Sequence, residues 1–233
     1  MTALVNAHNL RGKPEPPHAG PTSCVSPEAQ SSNTGVSSDF VPKPNHHWFV
    51  LRTRYGRELK AKKLLLEVGV DTYVAMKYAK KMIKGSTKMT KVPMIPNLVF
   101  VYCTRDTLNT VVKKPSPPSE IVKLYLNKTA LPESNGLHPP VEINPKIMSN
   151  FIKATSIDNK HTMMVNPNQC HFKGGDQVRV IDGEFKGVVG RVARVSGQQR
   201  VIIEIDNVGL LATAYIPSAC LEAIRTDESI LNG

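Results

Sequence analysis

The run DQVRVIDGEFKGVVGRV, from Asp176 to Val192, leaves few folds open to a chain that contains it. Val178 and Val180 alternate with Gln177 and Arg179, the period-two pattern of a half-buried strand. Asp182-Gly183 then reads as a tight turn, because glycine accepts the positive φ that a short hairpin demands. Gly187 and Gly190 follow at short offsets, with Phe185 before them as the plug of a small core. Strand, glycine turn, aromatic plug and glycine-spaced strand together predict the opening of a small curled β-barrel. Further on, Val201, Ile203 and Ile205 alternate as a strand does. Gly183, Gly187, Gly190, Gly197 and Gly209 interrupt any competing helix, so this region is expected to stay β in the free protein.

Length leaves room for a second small domain and a tail among the 233 residues. Residues 1–45 are rich in Pro, Ser, Asn and Gly without apolar periodicity, and are expected to be a disordered tail. The first strand is read at Trp48–Thr53, followed by a helix whose Ala61, Leu64, Leu65 and Val68 form the i, i+3, i+4, i+7 stripe before Gly69. A lysine-rich hairpin comes next, its turn placed at Gly85-Ser86. Its arms carry Lys77, Lys80, Lys81, Lys84, Lys88 and Lys91 without an intervening Asp or Glu. Val92–Thr104 is almost continuously apolar and reads as one central buried strand with Pro93 and Pro96 at its entrance. A short helix follows, then a strand. Asn144-Pro145 caps a last helix with Ile147, Met148, Phe151 and Ile152 on one face. The order predicts an α+β domain, a sheet with helices packed against it.

Charge divides along the same lines. The chain carries a net charge of +11, and the 46–160 region alone holds a surplus of twelve positive charges. The tail is balanced and the barrel region carries one negative charge in excess. A polyanion is therefore expected to meet the middle domain, and a protein to meet the barrel. Four scattered cysteines without a CxxC pair read as reduced thiols of a cytoplasmic protein. Cys170-His171 has no second Cys/His pair to complete a metal site, so neither metal nor cofactor is expected. No apolar run approaches the ~18–20 residues of a membrane span, and the first residues do not read as a secretory signal. No paired carboxylates, nucleophile–base pair or phosphate loop argues for an enzyme.

These motifs carry a family resemblance. The Asp176–Val192 run resembles the KOW motif, and Phe172–Ile224 is similar to the C-terminal barrel of NusG-type transcription factors. Trp48-Phe49, the helix beginning at Gly56-Arg57-Glu58, and the Pro-initiated apolar strand resemble the NusG N-terminal (NGN) domain in order. The resemblance implies an α+β protein, an NGN α/β sandwich followed by a small SH3-like β-barrel carrying a KOW motif. Its boundaries are a tail at 1–45, the NGN domain at 46–158, a linker at 159–171, the barrel at 172–226 and a tail at 227–233.

Ile95–Val101, IPNLVFV, has Asn97 and Leu98 where housekeeping NusG usually has Gly and an aromatic. With Met148–Ile152 and Asn207–Ala219, it looks like the UpxY group of RfaH-like antiterminators of capsular polysaccharide operons. That implies a monomeric antitermination and elongation factor. A housekeeping elongation and termination factor, or a KOW-containing RNA-binding protein of the ribosome, are the alternatives. The resemblance further implies that Trp48, Tyr55, Ile95, Pro96, Leu98 and Phe100 meet the clamp of RNA polymerase, Trp48 and Phe100 being better suited to the core. Asn109 and Thr110 occupy the place of its gate-loop contact, and the hairpin lysines lie where DNA, as displaced single strand, or nascent RNA would pass. The barrel, with its Gly183, Phe185, Gly187 and Gly190 turn, would take a ribosomal protein or another transcription factor.

Overall fold

The computed structural model describes residues 42–83 and 85–224. The expected disordered tail lies outside the described residues up to position 41, as do Lys84 and the end of the chain from 225. Residues 42–45 are not tail: the Lys43 backbone N–H donates to the Tyr102 hydroxyl at 2.7 Å, and its ammonium pairs with Asp71 at 2.9 Å.

The first domain is built on an antiparallel sheet of β1 (His47–Thr53), β2 (Asp71–Tyr73), β5 (Leu98–Cys103), β6 (Val122–Leu124) and β7 (Glu142–Ile143). The order is β2-β5-β1-β6, with β7 also paired to β1. All six β5 side chains are buried, so this strand has packing on both faces. On one face, α1 (Glu58–Glu67) buries Ala61 and Leu65, and α2 (Arg105–Lys113) buries Leu108, against Phe49, Leu51, Val99 and Val101. On the other, α3 (Pro145–Ser156) lays Met148, Phe151 and Ile152 over Trp48, Leu98 and Phe100. The alternation of β1 and β5 makes this two-sided core, odd positions to one face and even positions to the other.

Local signals locate the helix ends. Asn144 caps α3 by accepting from the Lys146 N–H at 2.9 Å, with Pro145 at the first helical position. Thr104 caps α2 in the same manner from Thr107. Gly69, at φ +79, ends α1. Of the predicted α1 stripe, Val68 is exposed and Leu64 half-buried, so the buried face is narrower than the sequence suggests.

The apolar run Val92–Thr104 is not one strand. Its first residues close the hairpin of β3 (Met76–Ile83) and β4 (Ser86–Pro93), and β5 begins only at Leu98. Between them the chain reverses through Pro96 and Asn97, the latter at φ +64. Ser86 belongs to β4, where it pairs with Ile83, and is not part of the turn.

The second domain is a six-stranded sheet of β8 (Met163–Val165), β9 (His171–Val180), β10 (Val189–Val195), β11 (Gln198–Ile205), β12 (Gly209–Tyr215) and β13 (Leu221–Ile224). The order is β13-β9-β10-β11-β12-β8, and no helix longer than a single 3-10 turn occurs among its described residues. Strand β8 falls inside the stretch 159–171 expected as linker, and pairs with β12. Arg200, 5 % exposed, anchors the same stretch by donating to the His161 carbonyl at 2.7 Å and to Thr213 at 2.8 Å.

The two domains share apolar packing. One buried cluster runs from Phe100 and Tyr73 through Phe151 to Val178, Phe185, Val201 and Ile203 of the barrel. The Val189 N–H donates to the Asn150 side chain at 3.0 Å, and the Tyr125 hydroxyl donates to the Asn207 carbonyl at 3.3 Å.

The barrel turn keeps its predicted glycines in an altered geometry. Gly183 and Gly187 sit at φ +83 and +85 and close two successive turns, not a single tight one. Phe185 is buried beneath them. Gly190 is required by space: a Cβ there would lie 2.4 Å from the Ile202 carbonyl oxygen. Gly190→Ala is expected to cost about 1–3 kcal/mol, since backbone must shift to admit the methyl group. A urea midpoint unchanged from the wild type would refute this.

Candidate nucleic-acid interface

The β3–β4 hairpin forms a two-stranded sheet of its own, separate from the main one. Its register sorts the lysines. Cross-strand partners share a face, and successive residues alternate. Lys77, Lys81 and Lys88 therefore lie on one face, with Lys81 directly opposite Lys88. Lys80 and Lys91 lie on the other face, together with Tyr78, Met82 and Met89. All five lysines are exposed, and Lys84 lies outside the described residues. Like charges placed directly opposite are destabilising, so the Lys81–Lys88 pair is a strained arrangement in water that an anion would relieve.

The second face is the part that sequence reading missed. Met82 is 77 % exposed, Met89 51 % and Tyr78 37 %, and Lys91 Nζ stands 5.2 Å from the Tyr78 ring centre. The signal is present in the alternation Tyr78-x-Lys80-x-Met82, but recognising it requires the register across the turn.

The residues expected to meet polymerase fall into two groups. Trp48 and Phe100 are each 1 % exposed and Leu98 8 %, so these three are core in this conformation. For Leu98 this corrects the expectation of a surface contact: the even positions of β5 face α3, and Leu98 is the first of them. Tyr55 is 86 % exposed, Pro96 is exposed and Ile95 is half-buried. The fold brings their two segments together. The Thr53 N–H donates to the Asn97 carbonyl at 2.8 Å, and the Asn97 N–H donates to the Glu58 carboxylate at 2.7 Å. Glu58 is only 3 % exposed, so a charge-assisted bond pins the Pro96–Asn97 turn to the β1–α1 connection that carries Tyr55. Asparagine tolerates the left-handed conformation that the turn imposes on Asn97, which explains how it stands where glycine would otherwise be expected.

Asn109 is half-buried and Thr110 exposed on α2, remote in sequence from both segments. The barrel presents no lysine-rich face of the hairpin's kind. Its Arg191 instead lies over the Phe172 ring at 4.3 Å. Among the described residues no cluster of three His, Cys, Asp or Glu side chains could hold a metal ion. Burial pushes the Cys103 thiol up to about 12, which leaves it protonated and inert. No helix among the described residues is long and apolar enough to cross a membrane.

Comparison with known proteins adds to this geometry. Residues 46–134 match the family of transcription termination factor NusG, and residues 175–204 match the KOW motif. No curated protein matches the chain. Among solved structures, the chain is similar to Thermotoga maritima NusG, from a structure concerned with its domain interaction. The identity there is 17% and the TM-score 0.36, over 77% of this chain and 98% of that one. It is also similar to a chain of the MjSpt4:Spt5 complex in conformation A, with 17% identity and a TM-score of 0.23, over 76% of this chain and 97% of that one. With its first domain matched as NusG and its second as KOW, in that order, the chain belongs to the NusG family of transcription factors.

Proposed function

We propose that this protein is a transcription antitermination and elongation factor of the specialised, RfaH-like kind, acting on capsular polysaccharide-type operons as the UpxY group does. It would bind RNA polymerase through the surface of Tyr55, Ile95 and Pro96, with Asn109 and Thr110 as a second contact. The observation that supports this most is the pinning of the Pro96–Asn97 turn to the β1–α1 connection by Glu58, which puts an exposed aromatic and an apolar turn side by side. Bridging the polymerase clamp and the opposite lobe would favour the closed enzyme over the paused one, a population shift set by differential affinity. The hairpin lysines would take phosphates of the displaced single strand, and the near-neutral barrel would engage a ribosomal protein or another transcription factor.

Run-off transcription past an intrinsic terminator tests the reading. The protein is expected to raise read-through. Increased release at the terminator would assign the housekeeping termination role in its place, and no effect would remove the polymerase assignment. Charge reversal at Lys81 and Lys88 is expected to weaken DNA binding and to flatten the salt dependence, by about 0.7 in log–log slope for each phosphate that is no longer neutralised. Salt titration by fluorescence anisotropy measures it. An unchanged slope would return both lysines to a merely solvated role.

A further inference from the structure

At the foot of the hairpin lies a cavity of about 230 Å³, smaller than the ~300–1,000 Å³ pockets that hold drug-sized ligands. It suits one planar ring system and little more. Its walls are apolar, with Leu59 from α1, Val74 and Met76 before the hairpin, and Met94 after it. Tyr78 lines it, and Lys62, Lys77 and Lys91 stand on the same wall, against a single carboxylate, Asp158. The far side is the segment between the two domains. There Thr155 is engaged, donating to the Phe151 carbonyl and bonded to the Tyr73 hydroxyl, and the Asn159 amide is held by Glu184. Thr162 is different. It lines the cavity, is 4 % exposed, and its Oγ1 is shielded from solvent with no hydrogen-bond partner. A buried hydroxyl left without a partner is costly, and groups of this kind call for something to bond.

We infer that this cavity receives one unpaired nucleobase of a single-stranded nucleic acid whose backbone runs along the hairpin. Apolar walls fit the faces of a base, the Thr162 hydroxyl fits its polar edge, and Tyr78 supplies a stacking surface at the mouth. Cations beside an aromatic platform are how single strands are held without pairing. Burial also pushes the Lys62 ammonium down from the usual lysine range, and an arriving phosphate would counter that penalty. A duplex cannot present a base in this manner, so single strands are selected over double strands. The inference rests on the reading of the hairpin as a nucleic-acid contact, and adds to it a specific site.

The test uses the full chain and short single-stranded DNA and RNA oligonucleotides carrying one fluorescent purine analogue. The arm that binds identifies the source of the strand. Binding is expected to change the analogue's emission. Tyr78→Ala is expected to weaken binding by about five- to a hundred-fold, and Thr162→Val, which keeps the shape, by about two- to ten-fold. Tyr78→Leu, which keeps apolar bulk on the hairpin, should weaken binding as well and guards against misfolding. If charge reversal at Lys81 and Lys88 weakens binding while the Tyr78 and Thr162 variants bind as the wild type does, the cavity is not a base site, although the hairpin reading survives. If none of the variants matters, both readings fall. If the Tyr78 and Thr162 variants lose polymerase but keep nucleic acid, the cavity is a protein-docking groove and the inference is overturned.

Discussion

Phe151→Ala is expected to lower stability by about 3–5 kcal/mol, the usual cost of removing a large aromatic side chain from a filled core. Phe151 is fully buried on α3, with its ring 5.3 Å from that of Phe100 and 6.1 Å, edge-on, from that of Tyr73. The same buried cluster continues into the barrel at Val178, Phe185 and Val201. The destabilisation is therefore expected to reach both domains. Trp48 is the only tryptophan and is buried in the first domain, so its fluorescence follows that domain alone. Barrel unfolding can be followed by methyl NMR signals of Ile203 and Leu211. Both midpoints in urea should fall together, which is the signature of one cooperative unit. A Trp48 transition that moves while the barrel signals stay put would show that α3 serves the first domain only.

Leu98→Asp and Ile95→Asp are expected to fail in different ways although only two residues separate them. Leu98 is 8 % exposed in the first position of β5, paired to Arg52. A carboxylate there must be buried or protonated, and a destabilisation above about 4 kcal/mol is expected from such a site. The Leu98 variant should unfold or be digested readily. Ile95 is half-buried at a turn, with solvent close at hand, so its variant should keep the fold and lose polymerase. Circular dichroism and limited proteolysis report the fold, and co-purification reports polymerase. If a folded Ile95→Asp protein still co-purifies with polymerase, the Tyr55–Ile95–Pro96 surface is not the contact.

Elements governed by near neighbours are legible in the amino-acid order itself. Asn144-Pro145 starts a helix because a side-chain oxygen and a fixed φ both act within one turn. Gly183 and Gly187 mark the barrel turn because few other residues accept the φ required. The β1 strand, α1, α2 and α3 are readable from periodicity for the same reason. The apolar run Val92–Thr104 misleads because hydrophobicity does not record a chain reversal. Asn97 at positive φ performs that reversal, stabilised by a carboxylate thirty-nine positions away in sequence. The candidate site shows the same division. Six lysines without an acid between them can be counted from the sequence, but which of them face one another cannot.

The sequence alone thus determined the order of the two domains, the helix starts, the barrel's glycines and the basic character of the hairpin. All of these depend on local conformational preference or on composition. Tertiary structure alone decided that Lys81 faces Lys88, that Tyr78, Met82 and Met89 share the other face, and that Leu98 is core where Ile95 is not. It alone brought Thr162 to the foot of the hairpin and joined α3 to the barrel. Alternation gives a strand two faces but does not say which one will be covered. That is settled by register and by packing partners distant in the chain.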